Sequence, residues 1–62
     1  MIVFVLIDAT EGKIFGAFSS EQTAKDYFRD NLTFYGWLDL YEVELDNTVA
    51  TKVTRISRES LQ

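Results

Sequence analysis

Ile14-Phe-Gly-Ala-Phe-Ser-Ser-Glu-Gln-Thr-Ala-Lys-Asp-Tyr-Phe28 decides the fold, because a strand ends and a helix begins inside it. The run Lys13 to Phe18 is apolar and aromatic and reads as a strand. Ser19 then has the chemistry of a helix N-cap, with Gln22 placed to reach back to the cap N–H. Over residues 20–32 the apolar positions are Ala24, Tyr27, Phe28 and Leu32, spaced i, i+3, i+4 and i+8, which is one helical stripe. The opposite side carries Glu21, Lys25, Asp26, Arg29 and Asp30, spaced for Glu21–Lys25 and Asp26–Arg29 pairs, and reads as solvated surface rather than as a site.

Upstream, Met1 to Ile7 is apolar and strand-like, and the polar loop Asp8 to Gly12 joins it to Lys13–Phe18, so the two runs predict a β-hairpin. Downstream, Thr33 to Gly36 is an aromatic connection. Trp37, Asp39, Tyr41, Val43 and Leu45 then alternate with Leu38, Leu40, Glu42 and Glu44 in a third strand. Asp46 and Asn47 tolerate positive φ and predict a two-residue turn into a fourth strand, Thr48 to Ile56. A helix competes there, since Val49, Val53 and Ile56 are spaced i, i+4, i+7, but the threonines of that stretch oppose it. Fraying is expected over residues 57–62. The expectation is one α+β domain over residues 1–62, ββαββ. A right-handed crossover through the helix gives an antiparallel sheet of order 2-1-3-4 with the helix on one face.

The sequence has no Cys, His or Pro, which removes disulfides, thiolate and imidazole chemistry and the commonest zinc ligands. Catalysis, a cofactor and a bound metal are accordingly not expected. Asp8 and Glu11 share the first loop, but two carboxylates are too few ligands for a hard cation. One core in so short a domain rarely supplies more than ~3–5 kcal/mol, so a partner subunit is the expected support. The net charge of −4 is uneven: residues 1–47 carry nine acids against three bases, and residues 48–62 three bases against one acid. Such an acidic body does not suit broad binding to nucleic-acid backbone. The basic end can grip a small anion. Met1–Ile7 lacks a cationic n-region and a cleavage site, and Asp8 ends it short of a membrane span, so no membrane partner and a cytoplasmic location are expected. The sequon Asn31-Leu-Thr33 then reads as a chance match.

One helix covers one face of such a sheet, yet strand one is apolar on both sides, with Ile2, Phe4 and Leu6 against Met1, Val3, Val5 and Ile7. Strand two sets Ile14 and Phe18 opposite Phe15 and Ala17. An open apolar face predicts a homodimer or higher oligomer through Val3, Val5, Ile7 and Phe15; the alternative is that the C-terminal segment folds back over that face. The aromatics Phe34, Tyr35, Trp37 and Tyr41 divide between core and contact. Tyr35 and Trp37 flank Gly36, where a ligand or backbone can approach closely, and are candidate contacts. Glu42 and Glu44, with Asp39 and Asp46, form an acidic edge that suits a basic protein surface or simply protects the sheet edge. Lys52, Arg55 and Arg58, with Thr51 and Thr54, offer cations and hydroxyls for phosphate groups, or a solvated edge strand.

The segment Ile14 to Phe28, followed by Tyr41-Glu-Val-Glu-Leu-Asp46, resembles small uncharacterised phage and bacterial proteins. Those have a "YVL"-type first strand, an "IGVFSSEEKAKEY"-type strand-to-helix step and a closing "YEVELD"-type strand. The resemblance covers about residues 1–46, brings no catalytic residues, and implies a phage product that neutralises a host factor. The expected function is a non-enzymatic, oligomeric, phage-encoded binding protein that inhibits an anti-phage defence component. It would do so by binding a host protein or by sequestering a small anionic nucleotide. The alternative is a structural subunit acting only by self-association.

Overall fold

A computed structural model describes residues 1–61. Its elements are β1 (Ile2–Asp8), β2 (Lys13–Phe18), α1 (Glu21–Asn31), β3 (Trp37–Glu44), β4 (Ala50–Ser57) and a closing 3-10 turn, Arg58–Leu61. The four strands form one antiparallel sheet of order β2-β1-β3-β4, the expected ββαββ arrangement of α+β class. β1 and β3 occupy the centre. This suits β1, whose apolar residues have neighbours on both edges.

Helix α1 begins one residue later than its sequence suggests. Ser20, not Ser19, is the N-cap, its Oγ accepting from Thr23 N at 3.1 Å. Gln22 does not reach back to the cap; its Nε2 donates to Asp26 Oδ1. The solvated face carries the expected pairs, Lys25 Nζ to Glu21 at 3.0 Å and Arg29 Nη1 to Asp26 at 3.3 Å. Both are exposed and contribute little. The apolar stripe is buried: Ala24 and Phe28 pack with Leu6, Leu38, Leu40 and Ile56 in the core. Burial of such side chains, at ~1.5–3 kcal/mol for each large one, is what holds helix to sheet.

Two loops differ from expectation. The β3–β4 connection takes up residues 45–49 rather than two, with Asp46 at φ 68° and Asn47 Oδ1 accepting from Val49 N at 3.0 Å. In the first loop Asp8 is buried and its Oδ1 accepts from Thr10 N at 3.0 Å, so this carboxylate closes a turn.

The C-terminal expectation is corrected. Ser57 ends β4, and Arg58–Leu61 turn toward α1, with Leu61 packed against the core and Arg58 N donating to Gly36 O at 2.8 Å. Gln62, the remainder of the expected frayed tail, lies outside the described residues. The reason is Arg58, whose guanidinium donates to the carbonyls of Phe28, Leu32 and Tyr35 at 3.0, 2.6 and 3.0 Å. Phe28 O and Leu32 O also accept from Leu32 N and Tyr35 N, each at 3.2 Å, and Arg58 adds a second donor to both where α1 ends. The tail therefore reinforces the helix side and does not cover the opposite face of the sheet. The molecule measures 16 Å along its shortest axis, the depth of one sheet and one helix.

Candidate functional site

Alternation along the strands sorts every side chain to one of two faces. On the helix side β1 presents Phe4 and Leu6, paired with Glu42 and Leu40 of β3. The open side presents Val3, Val5 and Ile7, paired with Val43, Tyr41 and Asp39. β4 continues two of these rows, since Asp39 pairs with Arg55 and Tyr41 with Lys52. Rows Ile7–Asp39–Arg55 and Val5–Tyr41–Lys52 thus lie side by side on the open face, with Trp37 at one end.

These side chains form a compact cluster. Asp39 is only 2% exposed although no helix covers it, because the cations of β4 close over it. Arg55 Nε donates to Asp39 Oδ1 at 2.9 Å, and Lys52 Nζ stands 3.4 Å from the same oxygen. The Arg55 guanidinium also lies 3.8 Å over the centre of the Trp37 ring, a cation–π contact that fixes its plane. The hydrogen bond from Arg55 holds the Asp39 carboxyl below its ordinary range against the opposing effect of burial, and the same bond raises Arg55. Asp39 is therefore an ionised anchor that orients two half-exposed cations. No group of three or more Asp, Glu, His or Cys suited to a metal ion occurs among the described residues.

The candidate residues divide. Trp37, Lys52 and Arg55 come together. Arg58 does not join them: it is spent on the α1 carbonyls and stacks over Phe28 at 4.8 Å. Tyr35 packs edge-on against Phe15 at 4.9 Å and belongs to the core margin. Gly36, between the two aromatics, has open space where a Cβ would stand, so nothing there requires glycine. Phe15 leaves the expected oligomer set of Val3, Val5, Ile7 and Phe15, because it packs against the core cluster. A bulge between the Leu6 and Ile7 pairings is responsible, with Gly16 at φ 152° beside it. The extra residue changes the parity of β2 and pairs Ile14 with Ile7, leaving Ile14 67% exposed.

The expected acidic edge also splits. Asp39 is on the open side, while Glu42 and Glu44 are on the other, beyond the reach of α1. There, with Ile2, Asn47, Val49 and Thr51, they line a shallow cavity of about 250 Å³. In the sequence Asp39 counts with the acidic edge and Tyr41 with the aromatics, and neither is joined there to Trp37, Lys52 and Arg55. The signal was present in the alternation Trp37, Asp39, Tyr41, which puts all three on one face.

No protein-family model matches the chain, and neither a curated protein nor a solved structure matches it. Fold and site define a two-layer α+β domain with one face packed and one face carrying an apolar strip beside an aromatic–cation cluster. Among the described residues no helix is long and apolar enough to cross a membrane.

Proposed function

We propose that this chain is a non-enzymatic binding protein that works as a homo-oligomer through its open sheet face. The observation that carries the reading is the adjacency, on that face, of the Val3–Val5–Ile7 strip and the Trp37–Arg55–Asp39–Lys52 cluster. Apolar strips rimmed by polar groups mark interaction surfaces. Tryptophan and arginine are the residues in which binding energy concentrates. A broad face of 32 by 23 Å is of the order of the ~800 Å² per partner that a stable interface buries. A symmetric pairing would give a domain with a small core the apolar burial it lacks.

The non-enzymatic reading rests on chemistry. The sequence contains no His or Cys, and Asp39 is engaged by two cations rather than poised to move a proton. The resemblance to small phage and bacterial proteins supports a host defence component as the target and host cytoplasm as the setting. The groove of Glu42 and Glu44 favours a second mode, engagement of a basic protein surface.

Light scattering over a concentration series tests the oligomer. A dimer or larger species is expected, and Ile14→Lys, at an exposed position on the open face, should return it to monomer with its circular dichroism unchanged. A strict monomer in the parent protein refutes the reading. Large assemblies that grow with concentration and capture no ligand would instead favour a purely structural subunit. For the second mode, reversal of Glu42 and Glu44 to lysine should release a captured basic protein, and retention counts against it.

A further inference from the structure

We infer that Trp37, Arg55 and Lys52, with Tyr41 between the cations and the apolar strip, form a binding site for a phosphate-bearing aromatic ligand of mononucleotide size. The inference rests on the reading of the open face as the working surface and names the ligand class that this face takes.

Arginine carries five N–H donors. Arg55 uses its Nε on Asp39, and its terminal nitrogens make no hydrogen bond to the described residues. Held at one edge by a carboxylate and on one face by Trp37, the guanidinium is already ordered, so little side-chain freedom is lost when an oxyanion arrives. The terminal N–H groups present the fork that phosphate oxygens accept. Lys52 sits at the longer 3.4 Å contact and is 44% exposed, free to turn its ammonium to a second oxygen.

Charge is segregated in the same sense. Asp39 is the one carboxylate that strand register puts on the open side, against Lys52 and Arg55, so this face is locally cationic on a protein of net charge −4. Glu42 and Glu44 face the other way. The cations on β4 lie two strand spacings, about 10 Å, from Val5 and Ile7 on β1. Tyr41 fills the interval in the row Val5–Tyr41–Lys52. A phosphate on Arg55 and Lys52 would leave a planar base over Tyr41, at the margin of the oligomer strip, where stacking is worth having whatever the base. One pair of cations on an acidic body suits a single phosphorylated unit, not a polyanion.

The test is NMR titration of the ¹⁵N-labelled full chain with adenosine 5′-monophosphate, with inorganic phosphate and adenosine as half-ligands. The nucleotide should move the Trp37 indole and Arg55 Nε signals and bind at least about tenfold more tightly than either half. Arg55→Gln should weaken it about tenfold or more, since a hydrogen bond to a charged group is lost. If that variant does not fold, Lys52→Gln carries the test, with a smaller but measurable loss expected. Unmoved Trp37 and Arg55 signals at millimolar nucleotide, or unchanged affinity in the folded variant, overturn the inference. Light scattering of the same samples separates the two readings. An oligomer indifferent to nucleotide sinks the ligand class alone, and a nucleotide-binding monomer sinks the oligomer alone.

Discussion

Replacing Arg58 by alanine should cost this domain most of its stability, although Arg58 lies beyond the last strand and has no carboxylate partner among the described residues. Its guanidinium donates to Leu32 O at 2.6 Å, Phe28 O at 3.0 Å and Tyr35 O at 3.0 Å, with a longer contact to Arg29 O at 3.4 Å. At a net ~1 kcal/mol for each of the three short bonds, and ~0.5–1 kcal/mol for the stacking over Phe28, allowing for partial solvation, the loss is about 3 kcal/mol. A core of this size supplies only ~3–5 kcal/mol, so the variant would retain ~0–2 kcal/mol and be from a few per cent to about half unfolded at room temperature. At ~4–8 °C per kcal/mol, the melting temperature falls on the order of 15 °C. Arg58→Lys keeps the charge but replaces the planar fork by a point donor, and should recover about half of the loss. Urea unfolding followed by circular dichroism at fixed protein concentration measures both, concentration being held because self-association adds to apparent stability. Because the acceptors are carbonyls, the difference should be insensitive to salt. An Arg58→Ala protein within about 0.5 kcal/mol of the parent would refute the account, since that is the scatter of ordinary surface substitutions.

Other substitutions separate neighbouring residues in the same way. Ser20→Ala should cost ~1 kcal/mol through loss of the helix cap while Ser19→Ala costs almost nothing, a contrast measured by chemical denaturation. Gly16→Ala should destabilise by ~1 kcal/mol, since φ is 152° and a Cβ would stand 3.3 Å from the Phe18 ring; Gly36→Ala, in open space, should be neutral. Asp39→Asn should cost ~1–2 kcal/mol, less than a fully buried pair because both cations are half-exposed. A carboxyl whose folded pKa lies below its unfolded value adds stability above the unfolded value, ~3.9, and loses it as pH falls through the folded one. The parent should therefore weaken on acidification below about pH 4, and Asp39→Asn should show a flatter acid limb in the same titration.

The parts of the fold that depend on local pattern were legible in the sequence. Alternation in Trp37–Glu44 and the stripe Ala24, Tyr27, Phe28, Leu32 needed no tertiary information, and together with the handedness of the crossover they fix the sheet order. The bulge at Gly16 was not legible. A glycine in a strand signals only that an irregularity is possible, and one inserted residue was enough to move Phe15 to the core margin and Ile14 to the open face. Arg58 was misjudged for a related reason. As part of a basic cluster it resembles a phosphate ligand, and only the approach of the α1 C-terminus supplies the carbonyls that occupy it. Composition identifies the donors, but tertiary packing decides which acceptors reach them.

Arg55 and Arg58 make the point in physical terms, because they share a segment and divide its two possible roles. β4 ends at Ser57, between them. Arg55 projects to the open face with Asp39 and Trp37, whereas Arg58, three residues on and so of opposite parity, falls on the helix side, where its guanidinium meets the end of α1. The basic character of the C-terminal segment is thereby split: one guanidinium closes the helix, and the other remains beside Lys52 on the face that the helix leaves bare. Inserting one residue between them would reverse that parity, taking either Arg58 away from the Phe28 and Leu32 carbonyls or Arg55 away from Asp39. The three-residue spacing of Arg55 and Arg58 thus couples the stability of the packed layer to the existence of the site on the other face. An insertion or deletion between the two should impair folding and binding together, whereas substitutions at Arg55 and Arg58 separate them.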